Sequence, residues 1–293
     1  MNLKSRFVFF GTPEFAAIIL ERLIKAGWLP AAVVTNPDKP IGRKQVMTAS
    51  PVKQVAQKYN LSIVNGQLSK VNAPGGVLAA YGKIIPKEII DIFPKGIVVV
   101  HPSLLPKYRG PTPIQTAILN GDKETGVTLF LMDEKIDHGP IISSFPAFAK
   151  ASAGRQFPIF NLGYEELMRK LAEASADLLI KTLPKYLAGE IKLRPQDESQ
   201  AHLRQGFGGQ ATYTKKFTTD DARVDLEKDP PELIWRKVRA LNPEPGVWTI
   251  KDGRRMKILE ASLADGKIIL KKIQYEGKKP MELKEPVTWQ RTL

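Results

Sequence analysis

The sequence predicts an α/β fold, a doubly wound and mostly parallel sheet, followed by a small OB-like β-barrel. Three observations carry this expectation. Short apolar runs alternate with helix-period stretches through most of the chain. The first strand–helix–strand unit closes within about 35 residues, which demands a crossover and therefore parallel strands. Beyond a polar, irregular stretch the pattern changes to short β runs separated by glycine turns.

The elements follow in order. Phe7–Phe10 is long enough for a buried strand and too short for a helix. Thr12 and Pro13 read as N-cap and first helical residue, and Phe15, Ile18, Ile19, Leu23 and Ile24 recur near helical spacing. Ala31–Thr35 is a second strand. A helix near Ser50–Tyr59, a weak strand at Gly76–Ala80 and a helix at Lys87–Ile92 come next. Ile97–Val100, Val127–Met132 and Ile141–Phe145 are further buried strands. A long helix is expected from Tyr164 to Leu183, with Leu167, Leu171, Ala174, Leu178 and Leu179 on its apolar face. The late β runs are Val247–Ile250, Met256–Leu259 and Lys267–Leu270. The expected division is a first domain over 1–189, a linker over 190–211 and the barrel over 212–293. Residues 149–156 and 202–210 are rich in small residues, Gly and Gln, without periodicity, and read as surface insertions.

Composition narrows the function. The 293 residues include 44 Lys and Arg against 30 Asp and Glu, three His and no Cys, for a net charge of +14. Without cysteine there are no disulfide staples, thiolate metal ligands or cysteine nucleophile. No apolar run approaches the roughly 18–20 residues of a membrane span. The apolar stretch at the start is cut short by Gly11–Glu14, so a cytoplasmic protein, monomeric by default, is the simplest expectation. The basic excess gathers at the two ends of the chain. Solubility explains it as readily as a polyanionic partner such as nucleic acid.

Few residues can carry acid–base chemistry. His202 lies in an irregular segment and His138 in a turn, whereas His101 follows the strand Ile97–Val100 at its carboxyl end. Ligands of open α/β sheets bind at that edge. Asp137 follows the strand Val127–Met132, again at a carboxyl end, with Asp133 and Glu134 as competing carboxylates. If the two strands are neighbours, an imidazole and a carboxylate face one crevice. A turn-capping histidine and an ordinary turn aspartate are the alternative readings. The first turn, Gly11–Phe15, lacks the G-x-G-x-x-G glycines and carries Glu14, which argues against a dinucleotide. No Walker A or H-E-x-x-H pattern and no metal-ligand spacing occurs.

These motifs together resemble the methionyl-tRNA formyltransferases, a branch of the folate-dependent formyltransferases. The likeness runs through Phe9–Phe15, Thr35–Lys44, Ser50–Lys53, Ala80–Pro86, His101–Pro111, Glu124–Thr128 and Met132–Gly139. It continues through Ala211–Lys216, Arg239–Pro243, Pro245–Trp248 and Gly277–Met281. The resemblance implies transfer of the formyl group of 10-formyltetrahydrofolate to the amino group of initiator methionyl-tRNA, with no metal. It implies that His101 stabilises the intermediate and moves protons, that Asp137 orients it, and that Ser103, Leu104, Leu105 and Pro106 line the folate site. Arg43 and Lys44 would engage the tRNA acceptor end, and the last domain, with Lys215 and Lys216, the RNA backbone. One departure stands out. The family pattern is Asn-x-His, and this chain reads Val99-Val100-His101. Valine donates no hydrogen bond, and loss of one oxyanion donor lowers kcat by about 10²–10³-fold. Formyl transfer to a sugar nucleotide or small amine, and a non-catalytic tRNA-binding homologue, are the competing expectations.

Overall fold

The computed structural model describes residues 7–42, 44–64, 68–148, 159–196 and 210–289. The expected insertion at 149–156 lies outside them, as does that at 202–210 apart from Gln210, and so do Arg43 and His202. The chain forms two compact units. The first comprises Met1–Arg109, Thr125–Ala147 and Met168–Thr212, and the second Gly110–Glu124, Phe148–Leu167 and Tyr213–Leu293.

The first unit is built on a six-stranded mixed sheet. Its elements are β1 (Phe7–Gly11), α1 (Glu14–Lys25), β2 (Ala32–Val34), a hairpin of β3 (Lys39–Ile41) and β4 (Val46–Thr48), α2 (Pro51–Lys58), β5 (Gly75–Ala79), α3 (Lys87–Ile90) and β6 (Ile97–His101). After α4 (Pro113–Leu119), which belongs to the second unit, come β7 (Thr125–Leu131), β8 (Ile141–Phe148) and most of α5 (Tyr164–Leu187). The sheet order is β2-β1-β5-β6-β7-β8. The first four strands are parallel and β6 pairs antiparallel with β7. Neighbouring β2 and β5 flank β1, so the order reverses there and opens a crevice at the carboxyl ends of the strands.

Side-chain size explains the packing. All of β1 is buried, including Phe7, Phe9 and Phe10. The facing strand β5 begins with two glycines, and a Cβ on Gly76 would sit 3.1 Å from Ile97 and 3.2 Å from Phe10. The short apolar run of β5 is therefore the complement of a bulky neighbour. Thr12 does not cap α1, whose N-cap is Pro13 without a side-chain bond. Its hydroxyl donates instead to the Tyr81 carbonyl at 3.2 Å, tying the ends of β1 and β5 together. Ser50 does cap α2, accepting from the Lys53 amide at 3.1 Å. Helix α5 runs past Pro184 to Leu187, and its buried stripe is Leu167, Met168, Leu171, Ala172, Ser175, Ala176 and Leu179. Ala174 and Leu178, expected on that stripe, are half-exposed. Ser175 is tolerated in the stripe because its hydroxyl donates to the Leu171 carbonyl at 2.6 Å.

The second unit contains α6 (Pro231–Leu241) and a four-stranded antiparallel sheet, β9 (Trp248–Lys251), β10 (Arg254–Ala264), β11 (Lys267–Tyr275) and β12 (Met281–Trp289), in the order β12-β11-β10-β9. A parallel bridge joins Arg223 to Trp248, and α6 packs on β10 and β11. This is the strand content of a small barrel. The expected single boundary near 212 is only part of the division, because α4 packs on α6 and Thr112 bonds both Thr214 and the Lys215 carbonyl. Those contacts draw Gly110–Glu124 out of the first domain.

Gly11 ends β1 where a Cβ would meet the Ala16 side chain at 2.6 Å and Phe9 at 2.9 Å. Gly11→Val is expected to destabilise the first unit by about 1–3 kcal/mol through overpacking, measured as a lowered urea midpoint with unchanged slope.

Candidate active site

His101 is the last residue of β6 and lies opposite Thr128 of β7. It is buried, and its Nε2 is 2.8 Å from the Tyr108 carbonyl oxygen. A carbonyl only accepts, so Nε2 carries the proton and Nδ1 is the nitrogen turned to the Asp137 carboxylate, 3.6 Å away. That distance is too long for a closed hydrogen bond, and it leaves Nδ1 available to a reacting group.

The loop after His101 is braced from β7. The buried Thr128 hydroxyl donates to the Ser103 carbonyl at 2.7 Å and accepts from the Leu105 amide at 3.1 Å. Ser103 donates to the Lys107 carbonyl at 2.6 Å. Tyr108 has φ +63, unusual for a bulky residue, which costs about 1–2 kcal/mol. Thr212 offsets this cost by accepting from the Tyr108 amide through its hydroxyl and from the Arg109 amide through its carbonyl, both at 2.8 Å. The strained backbone presents the Tyr108 carbonyl to the histidine.

Of the three carboxylates after β7, Asp137 is the one beside His101. Asp133 accepts from His138 Nδ1 at 2.7 Å and from the Lys135 amide at 3.0 Å, while Glu134 lies 3.8 Å from Lys87. Asp137 itself has φ +47, a region that aspartate tolerates better than most residues. Val99 precedes His101 by two positions in the same strand. It is buried in an apolar cluster with Leu105, Phe130 and Ile141, flanked by Leu78 and Met132. An open crevice beside the loop is lined by Lys87, Ile90, Met132, Asp133, Glu134 and Lys135. Among the described residues no cluster of metal-ligating side chains occurs, and no helix is long and apolar enough to cross a membrane.

Residues 4–155 match the formyl transferase family and residues 216–267 match the formyl transferase C-terminal domain. The chain belongs to the formyl transferase family. The methionyl-tRNA formyltransferase of Chloroflexus aurantiacus is 38% identical over 273 residues, which span 88% of this chain and 80% of that protein. The solved methionyl-tRNA formyltransferase from Clostridium thermocellum superposes with a TM-score of 0.59 at 19% identity, covering 92% of this chain and 98% of that one. An N-formyltransferase from Helicobacter canadensis, solved with folinic acid and dTDP-3-aminofucose, gives 0.61 at 19% identity and covers 90% and 94%. At those identities the two structures speak for the fold alone.

In this formyl transferase the remaining expected residues are placed unevenly. Ser103, Leu105 and Pro106 are buried, Leu105 in the cluster with Val99, while Leu104 is partly exposed. Lys44 is exposed at the tip of the β3–β4 hairpin, whose turn is closed by the Gln45 amide on the Gly42 carbonyl. The Lys53–Asp38 ion pair at 2.8 Å anchors the base of that hairpin to α2. Lys216 is exposed, whereas Lys215 is committed to Asp221. That hydrogen bond, with two more from the Thr218 amide and hydroxyl, holds the Asp221 carboxyl down at about 2. Sequence reasoning missed Thr128, the Tyr108 carbonyl and Gln196. A hydroxyl inside the apolar run 127–132 was the visible signal for Thr128; the other two left none.

Thr128→Val would leave the Ser103 carbonyl and Leu105 amide unpaired, with an expected loss of about 1–3 kcal/mol in chemical denaturation. Lys215→Ala is expected to raise the Asp221 carboxyl toward its ordinary 3.8, read by carboxyl-carbon NMR. The sign follows from the depressed value. Asp221 stabilises the fold above its unfolded value near pH 4 and loses that contribution as the pH falls toward 2.

Proposed function

We propose that the protein transfers the formyl group of 10-formyltetrahydrofolate to the amino group of initiator methionyl-tRNA, and so acts in the cytoplasm at translation initiation. The observation that carries this reading is the pairing of buried His101 with half-buried Asp137 at the carboxyl edge of the sheet, in a chain 38% identical to a methionyl-tRNA formyltransferase. The basic second unit favours an RNA substrate over a free small amine, because neutralised phosphates supply most of non-specific nucleic-acid affinity.

The residues present suit such a formyl donor. Ile90 and Met132 offer apolar faces to a planar ring, Asp133 and Glu134 offer acceptors for ring N–H groups, and Lys87 and Lys135 suit a carboxylate tail. The donor supplies an activated one-carbon unit on nitrogen. A carbon–nitrogen bond forms to the substrate amine, the bond to the donor nitrogen breaks, and one proton passes from the amine to the departing nitrogen. His101 Nδ1 is the site through which that proton moves. Asp137 stabilises the N–H that forms there transiently. The Tyr108 carbonyl keeps Nε2 protonated, so the ring cannot present the wrong nitrogen. Lys44 on the hairpin, its neighbour in sequence Arg43, and Lys216 on the second unit would contact RNA. Lys215 would do so only by giving up part of its bond to Asp221.

Val99 sets the rate. Its cluster excludes water but offers the developing oxyanion no donor. In a formylation assay with charged initiator tRNA, the natural chain is expected to turn over slowly and Val99→Asn to raise kcat by about 10²–10³-fold. The same substitution puts an amide among Leu105, Phe130 and Ile141 and should cost about 1–3 kcal/mol of stability. Turnover in neither form would overturn the proposal. Lys216→Glu is expected to raise KM for tRNA, most at low salt and less as salt screens the contact, while leaving KM for the formyl donor unchanged.

A further inference from the structure

We infer that Gln196 is a positioning residue for Asp137 and that the buried Arg109 acts through it. The inference deepens the formyl-transfer reading and rests on it for its kinetic half. Gln196 lies in the stretch that sequence patterning assigns to a linker, yet its amide spans the loop that carries Asp137. Its Nε2 donates to the Asp137 carbonyl at 2.8 Å and to the Gly139 carbonyl at 3.0 Å. Its Oε1 accepts from Arg109 Nε at 3.1 Å and Nη2 at 2.7 Å.

An amide has two N–H hydrogens and two carbonyl lone pairs, and here all four are used. Turning the amide over would set its NH₂ against a guanidinium and its oxygen against two carbonyls. Arg109, 1% exposed, therefore fixes which end of the amide faces the loop. Gln196 is in turn held close to the sheet. Two residues earlier, Arg194 bridges the start of β8, its carbonyl accepting from the Ile141 amide at 2.6 Å and its amide donating to the Ile141 carbonyl at 2.9 Å. The loop's far end is seated as well, since a Cβ on Gly139 would collide with the Leu131 carbonyl. Asp137 sits in the left-handed region between these anchors. Fixing its carbonyl fixes the direction of its Cα–Cβ bond, and so the placement of the carboxylate beside His101. A carboxylate 3.6 Å from the ring has little room to drift before the contact is lost.

The test uses the full chain with Gln196→Glu, which keeps both acceptors for Arg109 and removes both donors to the loop. Gln196→Met, which removes both halves, serves if the first variant does not fold. The expected result is a fall in kcat of about tenfold to a hundredfold, with KM for the formyl donor changed less than about twofold. Backbone amides of 133–139 should exchange with deuterium about tenfold faster, with exchange elsewhere in the sheet and Tm preserved. Unchanged loop exchange overturns the inference, and so does faster loop exchange with an undiminished kcat. If the natural chain transfers no formyl group at all, the functional reading fails. The exchange measurement then still decides whether Gln196 holds Asp137.

Discussion

The antiparallel register that sets His101 opposite Thr128 is the constraint on which the site depends. Side chains alternate along a strand, so a one-residue slip would turn His101 to the other face and remove Thr128 from the loop it braces. The register is held by burial, with Val98, Val99 and Val100 facing half-buried Leu131 and buried Phe130 and Leu129. Once it is set, the Thr128 hydroxyl fixes Ser103 and Leu105, the turn fixes Tyr108, and the Tyr108 carbonyl fixes the histidine ring. The bonds of Thr128 and of His101 are buried, so a partner left alone there would cost more than the bond itself contributes.

Much of this frame is legible in the residue order because it rests on local pattern. The runs Phe7–Phe10, Ile97–Val100 and Val127–Met132 become strands where apolar periodicity places them, and His101 and Asp137 do meet at one edge. What escaped had no local signature, or one that competed with another. The polarity of 190–196 reads as a linker because Arg194 and Gln196 form no periodic segment. Their partners, Ile141, Arg109 and Asp137, are more than fifty residues away in sequence. Helix α6 carried its signals, Pro231 at the start and Ile234, Val238 and Leu241 at helical spacing, but lay among irregular stretches. Strand β12 alternates weakly, and its pairing with β11 defines it more than its composition does.

The second unit illustrates why charge alone was an even guide. Lysine-rich segments suggested a polyanion, yet Lys215 bonds Asp221, and Arg239 is spent on the carbonyls of Ile159 and Leu162. Arg239 is buried enough that desolvation, with Arg236 nearby, lowers it to about 10. Such cations hold the fold together. Of the described positions that the resemblance selects, Lys44, Lys215 and Lys216 are all exposed, but Lys215 is bonded to Asp221, and only exposed charge can exchange counterions with a phosphate backbone.

Val99 brings these threads to one point. A site for formyl transfer wants low dielectric around a developing charge, and it also wants a donor aimed at that charge. In this chain the position two residues before His101 answers the first requirement and not the second. The cluster of Val99, Leu105, Phe130 and Ile141 packs without a polar atom to satisfy, which helps the register that holds His101. An asparagine there would need a partner for its amide in the absence of substrate, and an unpaired buried amide is unstable. On the proposed function, valine trades transition-state stabilisation for a settled resting state. The trade works only if the rest of the site is rigid, because with one donor fewer the remaining groups must be placed with little freedom. The saturated amide of Gln196 and the braced loop at Thr128 supply that rigidity, and they act on Asp137 and His101, the two residues to which the proposed function assigns the chemistry.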